Sequence, residues 1–188
     1  MMYEIKEKSK ITSSLEILED KIKTFRQEQP EMGLPEEIFM GVSKMTPITN
    51  VDLLIKDSKN RCLLAWRDDE YAGTGWHIPG GVIRYKETMA ERVKLVAKIE
   101  LGHPVEFEEI PLCSKELFID REVLCHYISF LFACTLPDNF DPPNEGLTEK
   151  DPGFLKWHDE CPDDLIELHH MYKDYIKEDC RKLVILNG

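Results

Sequence analysis

Glu100 is the residue whose type and position most call for chemistry. Thr88 can N-cap a helix, with Glu91 three residues later as its capping-box partner, and Gly102 suits the C′ end. Within that helix Met89, Val93, Val96 and Ala97 form one apolar stripe, and Glu100 falls on it, four residues past Val96. A carboxylate there faces the core side and sits in the last turn, where the helix dipole disfavours negative charge. Either it reaches solvent at a frayed helix end or it has a cation beside it. Carboxylate oxygens suit Mg²⁺ or Mn²⁺, and a Mg²⁺ held by one or two protein carboxylates plus substrate phosphates is ordinary. Gly80 and Gly81 either form a plain tight turn or, lacking Cβ atoms, let backbone and metal approach closely. Arg67 ends a strand-like run. Its guanidinium fork suits phosphate oxygens, or it is a solvated strand-end arginine.

These residues need elements to position them. Residues 1–10 are charged and expected to be loosely ordered. Ser13 opens a predicted helix with Glu16 completing a capping box, and Gln29-Pro30 ends it. Its narrow stripe of Leu15, Leu18, Ile22 and Phe25 must pack on the domain or on a twin in a dimer. Pro35 and the acids Glu36 and Glu37 suit a second helix start. Residues 51–56 and 61–67 read as strands, joined by the turn at 57–60 into a hairpin. A polar loop then leads to the strand of Trp76. After the Glu100 helix come extended segments within 105–118, a turn at 119–122 and a long central strand within 123–136. Residues 137–153 hold four prolines and five acids, a surface loop of the length usually kept for function or mobility. A short strand at 154–158 and a final helix over 163–177 complete an α/β layered domain.

The spacing around Glu100 resembles the Nudix box. That pattern is Gly, five residues, Glu, seven residues, then Arg-Glu-apolar-x-Glu-Glu-x-Gly. Gly81, Glu87, Glu100 and Gly102 match it, whereas Leu95, Val96 and Ile99 replace its Arg, its second Glu and its penultimate Glu. Such a loss resembles one subgroup, the GDP-mannose mannosyl hydrolases, whose box keeps only the last Glu. Thr46-Pro47, Val51-Asp52-Leu53, Leu63-Leu64 with Arg67, and Gly75-Trp76-x-Ile78-Pro79-Gly80-Gly81 recur in that subgroup in the same order and at nearly the same spacing. The resemblance covers roughly residues 33–165.

The resemblance implies a Nudix α-β-α sandwich with a mixed β-sheet over residues 33–188, preceded by a helical extension over 1–32. It implies that Glu100 and the backbone carbonyl of Gly80 hold Mg²⁺ or Mn²⁺. The third ligand and the catalytic His of the subgroup lie before the last strand. Counting back from Trp157 puts Asp151 at the ligand position and Pro152 at the His position, with Glu149 as an alternative carboxylate. The base then falls to Asp151 or Glu149. Between Cys125 and Trp157 the one histidine is His126, which reads as structural within an alternating strand, and His158 lies just past the Trp. Arg67 matches an arginine that contacts the diphosphate. Arg84 substitutes for another, whose own position is Val82. Asp52 matches a sugar-contacting aspartate, or is the polar face of an edge strand. The segment around Phe39 corresponds to one that binds the guanine nucleotide and forms a dimer. Glu87 loses its usual arginine at Leu95, and is either a helix-start charge or free to approach the metal.

Composition bounds the rest. With 188 residues, one domain plus an extension is the default, and 42% hydrophobic residues are enough for a sizeable core. A net charge of -12 argues against duplex nucleic acid or an anionic membrane as a partner. A nucleotide-handling protein this acidic must bring local counter-charge. The six cysteines show no zinc spacing and read as buried free thiols in a reducing cytosol. No signal peptide or membrane-length apolar run is present. The expectation is a cytoplasmic, homodimeric, metal-dependent nucleotide-sugar hydrolase. Two alternatives stand beside it: a Nudix pyrophosphatase that attacks phosphorus, and a silent nucleotide-binding module.

Overall fold

The computed structural model describes residues 2–28 and 33–178, with side chains from residue 9 onward. The expected helix end at Gln29-Pro30 and the cysteine Cys180 lie outside the described residues. Two compact units emerge, Met1–Thr46 and Pro47–Gly188. The first holds α1 (Met2–Glu28) and α2 (Glu36–Ser43). α1 runs through the segment expected to be loose. Ser13 therefore lies inside it, and its hydroxyl donates to the Ser9 carbonyl at 2.9 Å instead of capping. Strong helix formers among residues 2–12 carry the helix past that signal. α2 begins after Pro35, with Glu36 and Glu37 in its first turn.

The second unit carries β1 (Ile48–Ile55), β2 (Cys62–Asp69), β3 (Gly73–His77), β4 (Gly80–Val82), α3 (Met89–Val96), β5 (Glu106–Phe107), β6 (Cys113–Phe118), β7 (His126–Thr135), β8 (Leu155–His158) and α4 (Lys173–Lys177). The larger sheet runs β4-β1-β7-β5, with β6 also on β7. It is mixed, because β1 and β7 are parallel while the other pairs are antiparallel. The smaller sheet is β3-β2-β8. One core cluster joins β1 residues Val51, Leu53 and Ile55 to Val93, Val96 and Ala97. The other joins Leu54, Leu64, Trp76 and Ile78 to Tyr172 and Ile176. The sheets are thus sandwiched between α3 and α4, the expected α-β-α arrangement.

Two expectations are corrected. β1 and β2 share a single antiparallel bridge, Lys56 to Cys62, and then belong to different sheets. β1 is apolar on both faces, with Leu53, Leu54 and Ile55 all buried, which suits a central strand better than a hairpin arm. The final helix is shorter than its pattern: a 3₁₀ turn spans Glu167–Tyr172 and α4 follows. Upstream, the backbone is claimed by β3. Trp76 N–H donates to Asp164 O, and Ile166 N–H donates to Trp76 O, both at 2.9 Å.

Candidate active site

Thr88 caps α3 as its sequence predicts, in a reciprocal capping box with Glu91. Past Val96 the helix widens into one π turn, Ala97–Leu101, and Gly102 closes it in the left-handed conformation at φ 64°. Extra residues of this kind in a helix are frequent at functional sites. Here the wide turn carries Glu100. Its side chain is 26% exposed, and among the described residues no lysine or arginine pairs with it. Gly81 explains how closely the loop packs. A Cβ there would meet Val96 at 2.9 Å, so only a glycine lets β4 lie against α3.

Glu87 departs from the expectation of a lost ion pair. Arg92, 5% exposed, donates to it through Nε at 2.8 Å and Nη2 at 2.6 Å, while Arg84 N–H adds a third bond at 2.8 Å. The arginine has moved one helical turn upstream of Leu95, so the loop before α3 remains clamped. Glu87 is therefore occupied rather than free to approach a metal.

His77, which the sequence reading passed over, faces Glu100 from the end of β3. Its Nε2 lies 3.8 Å from Glu100 Oε2, and its Nδ1 lies 2.8 Å from Ala65 O. A carbonyl only accepts, so Nδ1 carries the proton of that bond. Behind His77 stands His169, their ring centroids 6.1 Å apart. His169 Nδ1 accepts from Ile78 N–H at 2.9 Å, which leaves the proton on Nε2, 4.0 Å from Asp52 Oδ1. Burial holds His169 well below the usual imidazole range.

Asp52 is the floor of this network. It lies on a central strand, which removes the edge-strand reading, and it is 2% exposed. Its carboxylate accepts from Ser129, from Tyr172 at 2.8 Å and from Asn50 at 3.1 Å. Burial pushes its carboxyl up to about 6, against those hydrogen bonds, and pushes the Tyr172 hydroxyl up as well. Gly80 pairs with Asp52 across the sheet, where any Cβ would run into the carboxylate.

The remaining candidates are more exposed. Arg67 lies within β2 opposite Gly75, two residues before the strand ends rather than at its end as the sequence suggested, and pairs with Asp69 at 3.0 Å. Arg84 follows β4 in the loop clamped by Glu87. Asp151 accepts from Thr148 N–H at 2.6 Å and from its hydroxyl at 2.8 Å, and Glu149 pairs with Lys156 at 2.5 Å. These bonds hold both carboxyls below the usual range. Among the described residues no three His, Cys, Asp or Glu side chains converge on one point, so Asp151 does not complete a three-side-chain cage with Glu100. His126 pairs across strands with Glu116 at 2.9 Å, and His158 stacks on Trp76. Phe39 lies on α2 in the first unit. Of the cysteines, Cys62, Cys113, Cys125, Cys134 and Cys161 are free thiols, with Cys62 and Cys134 buried. No described helix is long and apolar enough to cross a membrane.

A capped helix with a wide last turn, a Gly-Gly strand at its base and two packed sheets frame these residues. No family model matches the chain. A Haloferax volcanii protein, "Low-salt glycan biosynthesis protein Agl8", is 30% identical over 138 residues, 64% of this chain and 87% of that protein. A MutT NUDIX hydrolase from Burkholderia pseudomallei superposes with TM-score 0.53 at 20% identity, over 69% of this chain and 97% of that one. A UDP-X diphosphatase does so with TM-score 0.54 at 18% identity, over 90% and 81%. The chain has the fold of these NUDIX hydrolases and belongs to the family of the haloarchaeal protein.

Proposed function

We propose that this protein is a divalent-cation-dependent hydrolase of a nucleotide sugar, GDP-mannose or a close analogue, that releases nucleoside diphosphate and free sugar. The observation that carries the reading is the contrast between two box glutamates. Glu87 has Arg92, whereas Glu100 is half-buried with no lysine or arginine among the described residues. A carboxylate in that state suits a metal cation. With a single unpaired box carboxylate, the site fits the departure of a diphosphate from the sugar's C1. That departure needs charge neutralised more than it needs several ions to activate water at phosphorus. The name of the haloarchaeal relative, a glycan biosynthesis protein, supports a sugar-linked substrate.

In this reading Glu100 and the Gly80 carbonyl would hold the cation. The bound cation supplies positive charge to the diphosphate. Arg67 adds a guanidinium fork on the same group, and Arg84 stands near it from the loop after β4. Asp52 braces the Gly-Gly strand. Asp151 or Glu149 accepts the proton of the attacking water, both kept ionised by their own hydrogen bonds.

The test is turnover of GDP-mannose, GDP-glucose, ADP-ribose and UDP-glucose with Mg²⁺ in ¹⁸O-water, followed by phosphorus NMR. Nucleoside diphosphate with the label confined to the sugar is the expected result. Nucleoside monophosphate with labelled phosphate would replace this reading by attack at phosphorus. No turnover, with nucleotide-dependent melting shifts, would leave a binding module.

A further inference from the structure

We propose that His77 is a second side-chain ligand of the cation at Glu100, and that it gives the site a preference for Mn²⁺ or Co²⁺ over Mg²⁺. The inference rests on the reading of Glu100 as a metal ligand and adds to it a nitrogen donor.

The orientation of His77 is fixed by a bond on its far side. Nδ1–H donates to Ala65 O at 2.8 Å, so in the neutral ring the lone pair is on Nε2, and Nε2 faces Glu100. Metal-binding histidines are commonly held this way, with the second nitrogen on a backbone carbonyl or a carboxylate. The ring is 8% exposed at its side chain and backed by His169, so it has little room to turn away. His169 cannot compete for the cation from where it stands, because its Nδ1 is occupied by Ile78 N–H and its Nε2 carries a proton.

His77 Nε2 and Glu100 Oε2 face each other. At 3.8 Å, Nε2 and Oε2 are too far apart for a hydrogen bond. A lone pair and a carboxylate oxygen facing each other repel unless something positive lies between them. Two donors on one ion, each at roughly 2.0–2.2 Å, stand about 3.0–3.5 Å apart. Closing from 3.8 Å asks Glu100 for a movement of a few tenths of an ångström, and its side chain is the more exposed partner. An imidazole nitrogen is a softer donor than a carboxylate or carbonyl oxygen and favours first-row transition ions over Mg²⁺, so a His–Glu pair ranks cations differently from a carboxylate with a carbonyl.

The experiment compares the full-length chain with His77→Asn and Glu100→Gln. Asn can keep a donor to Ala65 O while removing Nε2. Mn²⁺ affinity is read by the free-ion electron paramagnetic resonance signal, with GDP present. Bound Mn²⁺ is then examined by electron spin-echo envelope modulation for a directly bonded ¹⁴N, and melting in EDTA checks that each variant folds. The expected results are nitrogen modulation in the wild type, its loss in His77→Asn, and Mn²⁺ binding weakened by about tenfold or more while Mg²⁺ binding changes by less than about threefold. Unchanged Mn²⁺ binding in His77→Asn, or wild-type Mn²⁺ without nitrogen modulation, would overturn the role of His77 and leave Glu100 as the ligand. Unchanged binding in Glu100→Gln would instead remove the metal reading itself.

Discussion

Among individual residues, burial and pairing decide what each acid can do. Glu100→Gln keeps the shape of the wide turn and removes the charge. It is expected to lower turnover by about 100-fold or more with an unchanged melting temperature in EDTA; retained turnover would dismiss the metal role. Asp52 and His169 act on stability in opposite directions. The folded Asp52 carboxyl ionises near 6 against an ordinary 3.8, so between those values the folded chain keeps a proton that the unfolded chain releases. Its contribution is full at acid pH and is lost as pH rises through about 6. His169 stays neutral in the fold below 6.5, where the unfolded chain takes up a proton, so its contribution is lost as pH falls. Urea unfolding of the metal-free chain from pH 7 to pH 4 tests both. Relative to the wild type, Asp52→Asn should lose stability more steeply toward acid and His169→Asn less steeply, by roughly 2–3 kcal/mol for the aspartate. Parallel profiles would count against the buried network. Glu100, Thr88 and Glu91 were legible in the sequence because helix periodicity and capping are local. His77, His169, Ser129 and Tyr172 were not, since only folding brings them to Asp52 or Glu100. Arg92 could have been found by asking which nearby basic residue replaces the one missing at Leu95.

The elements hold the site through a few contacts that admit no substitute. Gly75 is the point where β3 receives the backbone of residues 164–166, and a Cβ there would sit inside contact distance of the Asp164 carbonyl. Gly75→Ala is expected to cost more than about 2 kcal/mol in urea, because the clash is with backbone rather than with a movable side chain. Lys56 fastens the other end of the same segment. It is buried, and its Nζ donates to Ile176 O at 2.6 Å and Glu178 O at 2.7 Å, closing the C-terminal end of α4. Lys56→Met fills similar space and leaves those carbonyls unpaired. A loss of about 1–3 kcal/mol is expected, with faster amide exchange concentrated in α4; uniform exchange across the chain would argue against a local clamp. Strand positions from residue 48 to 158 followed the turn signals except at Gly80–Val82, read as a loop or tight turn and found as β4 paired with β1. Partnership did not follow, because which strands pair is set by the layers above and below. The hairpin that became two sheets and the helix start that became a single parallel bridge from Leu165 to Trp76 both show this.

Across the whole molecule, charge is the governing quantity. A chain with net charge -12 repels a diphosphate until it is close to Arg67 or a cation. Raising ionic strength at fixed free Mg²⁺ should therefore lower KM for a nucleotide sugar, the reverse of an enzyme that steers its substrate. A KM that rises with salt would point instead to a basic entry face.

The Asp52 network also sets the order in which the molecule can come into being. Ser129 is 77 residues downstream of Asp52, and Tyr172 is 120. β1 lies beside β7 along its full length, so the centre of the larger sheet waits for a strand made much later. Pairings this distant slow folding, since a long loop must close before any contact rewards it. During synthesis a chain that has emerged as far as α3 already displays its capped helix. It still carries an aspartate on an apolar strand paired only on its β4 side, with neither hydroxyl yet made. The part of the site legible in one short stretch can form early, and the part spread across the chain has to form last.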